Sequence, residues 1–261
     1  MTSASAAEER LADLSTNLSR VEERICAACE TAGRARDDVR LIVVTKFFPS
    51  ADVEMLCHLG VTDIGENRDQ EASAKIAALP PEVRALLHVH FIGQLQTNKA
   101  GSVATYADAV HSIDRDRLVI ALDRAAAAAG RDIGVLVQVN LDVSAGREPG
   151  VGGPATGIPR LERAAVARGG VGLGEVGALA RSIATAGHLK LRGLMGVAPL
   201  GVNPDDAFRQ LAACAHDLLA DHPGATWISA GMSGDLESAV ANGATHLRVG
   251  SAILGSRPHR G

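Results

Sequence analysis

Strand-like and helix-like segments alternate along most of this chain, and that rhythm admits few architectures. Apolar, strand-like runs fall at 41–46 (LIVVTK), 62–66 (TDIGE), 89–93 (VHFIG), 109–113 (AVHSI), 134–141 (GVLVQVNL), 191–197 (LRGLMGV), 226–231 (TWISAG) and 246–250 (HLRVG). Helical patterns fall between them at 50–59, 68–79, 95–104, 115–129, 205–221 and 233–242, and the fifth crossover, about 159–187, carries helical pieces at each end. Several runs are almost continuously apolar, as parallel strands become when helices cover the sheet. Eight strands alternating with helices favour an α/β fold of the closed (β/α)8 TIM type over an open doubly wound sheet. The 261 residues match the roughly 250 that one such barrel takes, so 1–261 reads as a single domain. Before the first strand, Leu11, Leu14, Leu18, Val21 and Ile25 recur at steps of three and four, which predicts an extra N-terminal helix over about 8–32 that stops at Gly33. Residues 144–158, rich in Gly and Pro, predict a long loop after the fifth strand.

Composition narrows the function classes. Aromatics are only 2% of the chain, so the core must be aliphatic and few rings are available to stack on bases. The formal net charge of -4 argues against a polyanion-binding surface, and hence against nucleic acid. No apolar run spans a membrane, and Met1–Arg10 lacks the basic start and apolar stretch of a signal peptide. Cys26, Cys29, Cys57 and Cys214 form no disulfide framework, which makes a reducing cytoplasm the expected location.

Lys46 ends the first strand run, where a side chain would reach the mouth of a barrel. Burial without a counter-charge would free its amine to attack an aldehyde. Taken alone, it could equally mark the strand's exit into solvent. Two glycine turns alter that balance. Gly231-Met232-Ser233-Gly234-Asp235 follows the seventh strand and opens a helix, and Arg248-Val249-Gly250-Ser251 closes the eighth. Loops after strands seven and eight are the recurrent phosphate site of this fold, and backbone amides with the Ser233 and Ser251 hydroxyls can meet an anion there. Asn67, at the end of the second strand, could face a ligand or cap the following helix. His90 reads as a buried strand histidine satisfied by a neighbour.

The strings VTKFFP (44–49), IGENRDQE (64–71), HFIGQLQTNK (90–99), HSID (111–114), LRGLMGVAP (191–199), SAGMSGDLESAVANGAT (229–245) and LRVGSAILGSR (247–257) resemble, in that order, the pyridoxal phosphate homeostasis proteins. The fold of that family is similar to the barrel domain of alanine racemase. The resemblance implies pyridoxal 5′-phosphate (PLP) held as a Schiff base on Lys46. It implies a phosphate against Ser233, Gly250 and Ser251, with Met232 packed nearby, Arg248 facing the pyridine nitrogen, and Asn67 at the mouth. It also implies a role in vitamin B6 and amino-acid homeostasis, with apo PLP-dependent enzymes as recipients. A monomer is expected, because no site element calls for a partner chain. The chain departs from the family's pattern in a longer 143–168 segment, in Val89 before the HF motif, and in Ser251 where a threonine is usual.

The reading leans away from an enzyme, and no catalytic or metal-ligating residue is assigned. A racemase needs a second acid/base, and the only tyrosine, Tyr106, falls just before the fourth strand, at the opposite end of the barrel. Two alternatives remain open at this point: a PLP-dependent racemase-like enzyme, and a cofactor-free Schiff-base aldolase using Lys46. Gly172–Gly177 matches GxGxxG, but the preceding stretch looks helical, and a dinucleotide site requires a strand there. Cys26 and Cys29 match CxxC inside a helical pattern with no second ligand pair nearby.

Overall fold

The computed structural model describes residues 3–142 and 169–256. Eight parallel strands close in sequence order: β1 (Arg40–Val44), β2 (Asp63–Glu66), β3 (His88–Phe91), β4 (Ala109–Ile113), β5 (Ile133–Val139), β6 (Leu189–Gly196), β7 (Trp227–Ser229) and β8 (His246–Val249), with β8 pairing back onto β1. Helices α1 (Ser3–Thr31), α2 (Ser50–His58), α3 (Asp69–Ala77), α4 (Pro81–Leu86), α5 (Ala100–Tyr106), α6 (Asp116–Ala129), α7 (Val176–Ala184), α8 (Pro204–Asp221), α9 (Leu236–Ala241) and α10 (Ser251–Leu254) surround them. The expected TIM-type barrel with an added N-terminal helix is what the chain forms. Among the described residues, no helix is long and apolar enough to cross a membrane.

Alternate strand positions divide the core. Val43, Ile64, Val89 and Val110 point outward and join the helices in one buried aliphatic cluster. Ile42 and Val44 point inward: a Cβ on Gly65 would meet both of them and Ile92. The extra helix α1 buries Leu14, Val21 and Ile25. It is tied to the barrel's last elements by Asn17 Nδ2 donating to Ile253 O (3.1 Å) and by Arg24 donating to Ser233 O (3.1 Å). At β5–β6 the register slips between Val135 and Leu136, which pair with Leu191 and Gly193. Gly193 has φ 151°, and a Cβ there would fall 1.9 Å from Trp227 O, so this crossing accepts only glycine.

Some boundaries differ from the sequence reading. β1 stops at Val44, and Lys46 sits in the turn beyond it, next to Phe47 at φ 73°. β7 is only three residues, and Met232–Asp235 is a turn ahead of α9 rather than the helix's first residues. Ser251 opens α10 instead of closing β8. The 95–104 helix begins as a 3-10 turn at Thr97–Lys99, and α4 was not foreseen. The predicted loop at 144–158 and the first helical piece of the fifth crossover lie outside the described residues. In the GxGxxG stretch, Val171 bridges to Val139, and the Gly172 amide donates to the Glu175 carboxylate (2.9 Å), so that amide is not offered to a nucleotide.

Candidate functional site

Strand register brings the residues singled out from the sequence to one rim. Val43 pairs with Val249 and Val44 with Gly65, so the segments carrying Lys46, Asn67 and Gly250–Ser251 leave the barrel side by side. Gly250 lies directly on β1, where a Cβ would come within 3.1 Å of Val44 O. The turns after β7 and β8 meet there, with Ser233 Oγ and Ser251 Oγ 3.4 Å apart. Met232, partly exposed, stands in the same turn as Ser233. Two adjacent hydroxyls and a backbone without a side chain make a small polar cradle. The lysine lies one strand over.

The turn holding Lys46 is fixed by a buried ionic group that sequence reasoning missed. Thr45 N–H still donates to Gly65 O (3.0 Å), and Phe48 N–H closes back onto Thr45 O (3.1 Å). Lys75, buried in α3, donates to Thr45 O, to Glu66 Oε1 (both 2.7 Å) and to Glu71 Oε1 (3.3 Å). Glu71 in turn accepts from the Phe47 amide. A left-handed conformation costs a residue with a side chain about 1–2 kcal/mol. It persists where neighbours over-determine it, and such residues gather at functional sites. Lys46 itself is half-buried, its Nζ 6.0 Å from the centre of the Phe47 ring.

Arg248 is buried inside the barrel and donates to Ser229 Oγ (2.6 Å) and Gly196 O (2.9 Å). Burial lowers its pKa to about 10, with Asp235 opposing the shift, so it remains a cation at neutral pH. From Ser229 a chain of side chains runs down the interior. His111 Nδ1 is 2.9 Å from Ser229 Oγ, His90 Nδ1 is 2.9 Å from His111 Nε2, and Asp63 Oδ1 is 3.0 Å from His90 Nε2. His90 is thus satisfied by neighbours, as its position suggested. Burial, reinforced by the neighbouring His90 and Arg248, pushes His111 well below the ordinary histidine range. Burial would raise Asp63, but hydrogen bonds from His90 and Thr62 outweigh it and hold the carboxyl at about 2.

Beside the mouth, a cleft of about 890 Å³ opens between the turns after β1, β2 and β3, lined by Phe47, Asn67, Arg68, Gln94 and Lys99 among others. Asn67, half-buried, borders this cleft, which gives a ligand an approach from that side. Tyr106 ends α5 just ahead of β4, but its buried phenol reaches Asp69 Oδ1 (3.5 Å) at the start of α3, in the helical layer.

A closed barrel with a lysine beyond β1 and paired hydroxyl turns after β7 and β8 defines an alanine racemase-type barrel: the family model "Alanine racemase, N-terminal domain" matches residues 16–258. A pyridoxal phosphate homeostasis protein of Mycobacterium tuberculosis is 40% identical over 266 residues, covering 97% of this chain and 96% of its own. The chain belongs to the pyridoxal phosphate homeostasis protein family. Among solved structures, an unknown protein from Bifidobacterium adolescentis is similar at TM-score 0.81 and 30% identity, with 97% of each chain covered. PipY of Synechococcus elongatus, described with PLP bound, is similar at TM-score 0.72 and 29% identity, covering 93% of this chain and 100% of its own.

Proposed function

We propose that this protein holds PLP at the carboxyl mouth of its barrel, with the aldehyde taken by the Lys46 amine, and serves vitamin B6 and amino-acid homeostasis without turning over a substrate. The observation that carries this reading is the convergence of Lys46 with the Ser233 and Ser251 hydroxyls, 3.4 Å from each other, on one rim. The relatives' name and the PLP-bound description of PipY support it. The donor set fits an aldehyde phosphate, since an amine and an anion cradle are the two things such a molecule requires.

When bound, PLP supplies a reactive aldehyde and an electron-accepting ring. The Ser233 and Ser251 hydroxyls would hold its phosphate, with Met232 and Asn67 beside it, and Arg248 would face the pyridine nitrogen. A guanidinium only donates hydrogen bonds, so a nitrogen facing it would accept and stay unprotonated, which would weaken the ring's pull on a substrate carbanion. The chain's one tyrosine is committed to Asp69 in the helical layer, which further favours holding over racemisation. Four cysteines without disulfides favour a cytoplasmic setting. We infer a monomer that passes PLP to apo-enzymes, since every group named above comes from one chain.

The test of non-turnover is α-proton exchange. PLP-loaded protein incubated with a panel of amino acids in D2O is expected to exchange no faster than free PLP. Exchange at ordinary enzyme rates that is lost in Lys46→Ala would establish a PLP-dependent enzyme instead.

A further inference from the structure

At the amino end of the barrel, opposite the cofactor mouth, donor atoms converge that PLP binding does not use. Asp63 opens β2. His88 and His90 lie on β3, in register with Asp63 and Gly65. His90 Nε2 stands 3.0 Å from Asp63 Oδ1 and 3.0 Å from His88 Nδ1, and the third edge, from His88 Nδ1 to Asp63 Oδ1, is 4.0 Å. Zinc bonds of about 2.0–2.1 Å to nitrogen and oxygen, set tetrahedrally, place ligand atoms ~3.3 Å apart. Two edges are close to that spacing, and the third, at 4.0 Å, closes with a small turn of the half-exposed His88 ring.

The surroundings already orient these atoms. Thr62 Oγ1 (2.7 Å) and Arg40 (3.1 Å) donate to Asp63 Oδ2, and Arg40 makes only a longer contact to Oδ1 (3.4 Å), the oxygen that faces the histidines. His90 is backed by His111 through its other ring nitrogen, the kind of outer support that fixes metal-bound imidazoles. As a set of hydrogen bonds the cluster is incomplete. His88 Nδ1 and Asp63 Oδ1 both face the single proton His90 Nε2 can carry. His246, its ring 6.3 Å from that of His90, is buried with Nε2 lacking any hydrogen-bond partner.

We propose that Asp63, His88 and His90 form a binding site for a divalent transition-metal ion, with zinc the ion that suits two imidazoles and one carboxylate. The ion binds His88 Nδ1, His90 Nε2 and Asp63 Oδ1. Water completes its shell from the cleft lined by Arg40, Thr62 and Asp63. Ligation places the His90 proton on Nδ1, donated to His111 Nε2, and His111 then donates from Nδ1 to Ser229. The Arg40 charge beside Asp63 weakens binding, and its side chain, 57% exposed, would have to release Asp63 Oδ1 as the ion enters. His88, 42% exposed, gives the ion its entrance.

Zinc is titrated into the PLP-loaded full-length protein against a chromogenic chelator, with Co2+ as a second probe read by its tetrahedral visible bands. One zinc per chain is expected. His88→Gln and Asp63→Asn should each weaken binding by at least about tenfold and remove the cobalt bands. Circular dichroism checks folding, and half-exposed His88 keeps the test decisive should Asp63→Asn fail to fold. No zinc uptake overturns the site. So does uptake that His88→Gln leaves unchanged, which places the ion elsewhere, on the Cys26–Cys29 pair or on PLP.

Discussion

At the scale of single residues, the position of Lys46 is decided by its neighbours in the turn and in α3. Phe47 is held at φ 73° with its amide on Glu71, and Lys75 ties Glu71, Glu66 and Thr45 O into one buried group. Glu71→Ala removes the acceptor for the Phe47 amide and one partner of a buried ammonium. The expected cost is roughly 1–3 kcal/mol in urea unfolding, together with slower attachment of PLP at Lys46. An unchanged midpoint would mean that the turn does not depend on Glu71. On the proposed phosphate side, Ser251→Ala would delete one hydrogen bond to a charged group. Such bonds contribute about 1.5–3 kcal/mol, so PLP affinity should fall on the order of 10- to 100-fold by fluorescence titration, with stability nearly unchanged because this hydroxyl is exposed.

At the scale of elements, periodicity located all eight strands, because their outward positions are apolar and the runs end in glycine or polar turns. It failed where one residue's backbone decides the outcome. Lys46 read as the end of a strand because a phenylalanine at positive φ leaves no trace in composition. Lys75 and Glu71 fall unremarked within the helix read over 68–79, and only the packing of α3 against β1 and β2 shows what they hold. The polar column was hidden for a related reason. Its members Asp63, His90, His111, Ser229 and Arg248 come from five strands, and no spacing along the chain links them. The rim residues were legible because each sits in a short motif at a strand's carboxyl end. The slip at β5–β6 gives an element-level prediction. Gly193→Ala drives a Cβ into Trp227 O, so a loss of about 4 kcal/mol or more is expected, read as a collapse of the thermal transition. A near-native transition would show that β6 and β7 can separate without cost.

At the scale of the whole molecule, the barrel interior joins two unlike ends. The carboxyl end offers a lysine, paired hydroxyls and an open cleft of about 890 Å³. The amino end is closed by histidines, Asp63 and Trp227, with Trp227 and His246 rings 4.2 Å apart. Helix α1 braces the first of these, since Arg24 and Asn17 bond directly to the chain around the β7 and β8 turns. A lysine and a hydroxyl cradle on one rim fit the PLP-holding role proposed above.

The most direct measurement is an absorption spectrum of the PLP-supplied protein, followed by borohydride reduction and peptide mass mapping. A visible band of lysine-bound PLP, with the reduced pyridoxyl group on Lys46 and absent from Lys46→Ala, is the predicted result. A colourless protein, or a pyridoxyl group found on another lysine while Lys46 stays unmodified, would contradict it.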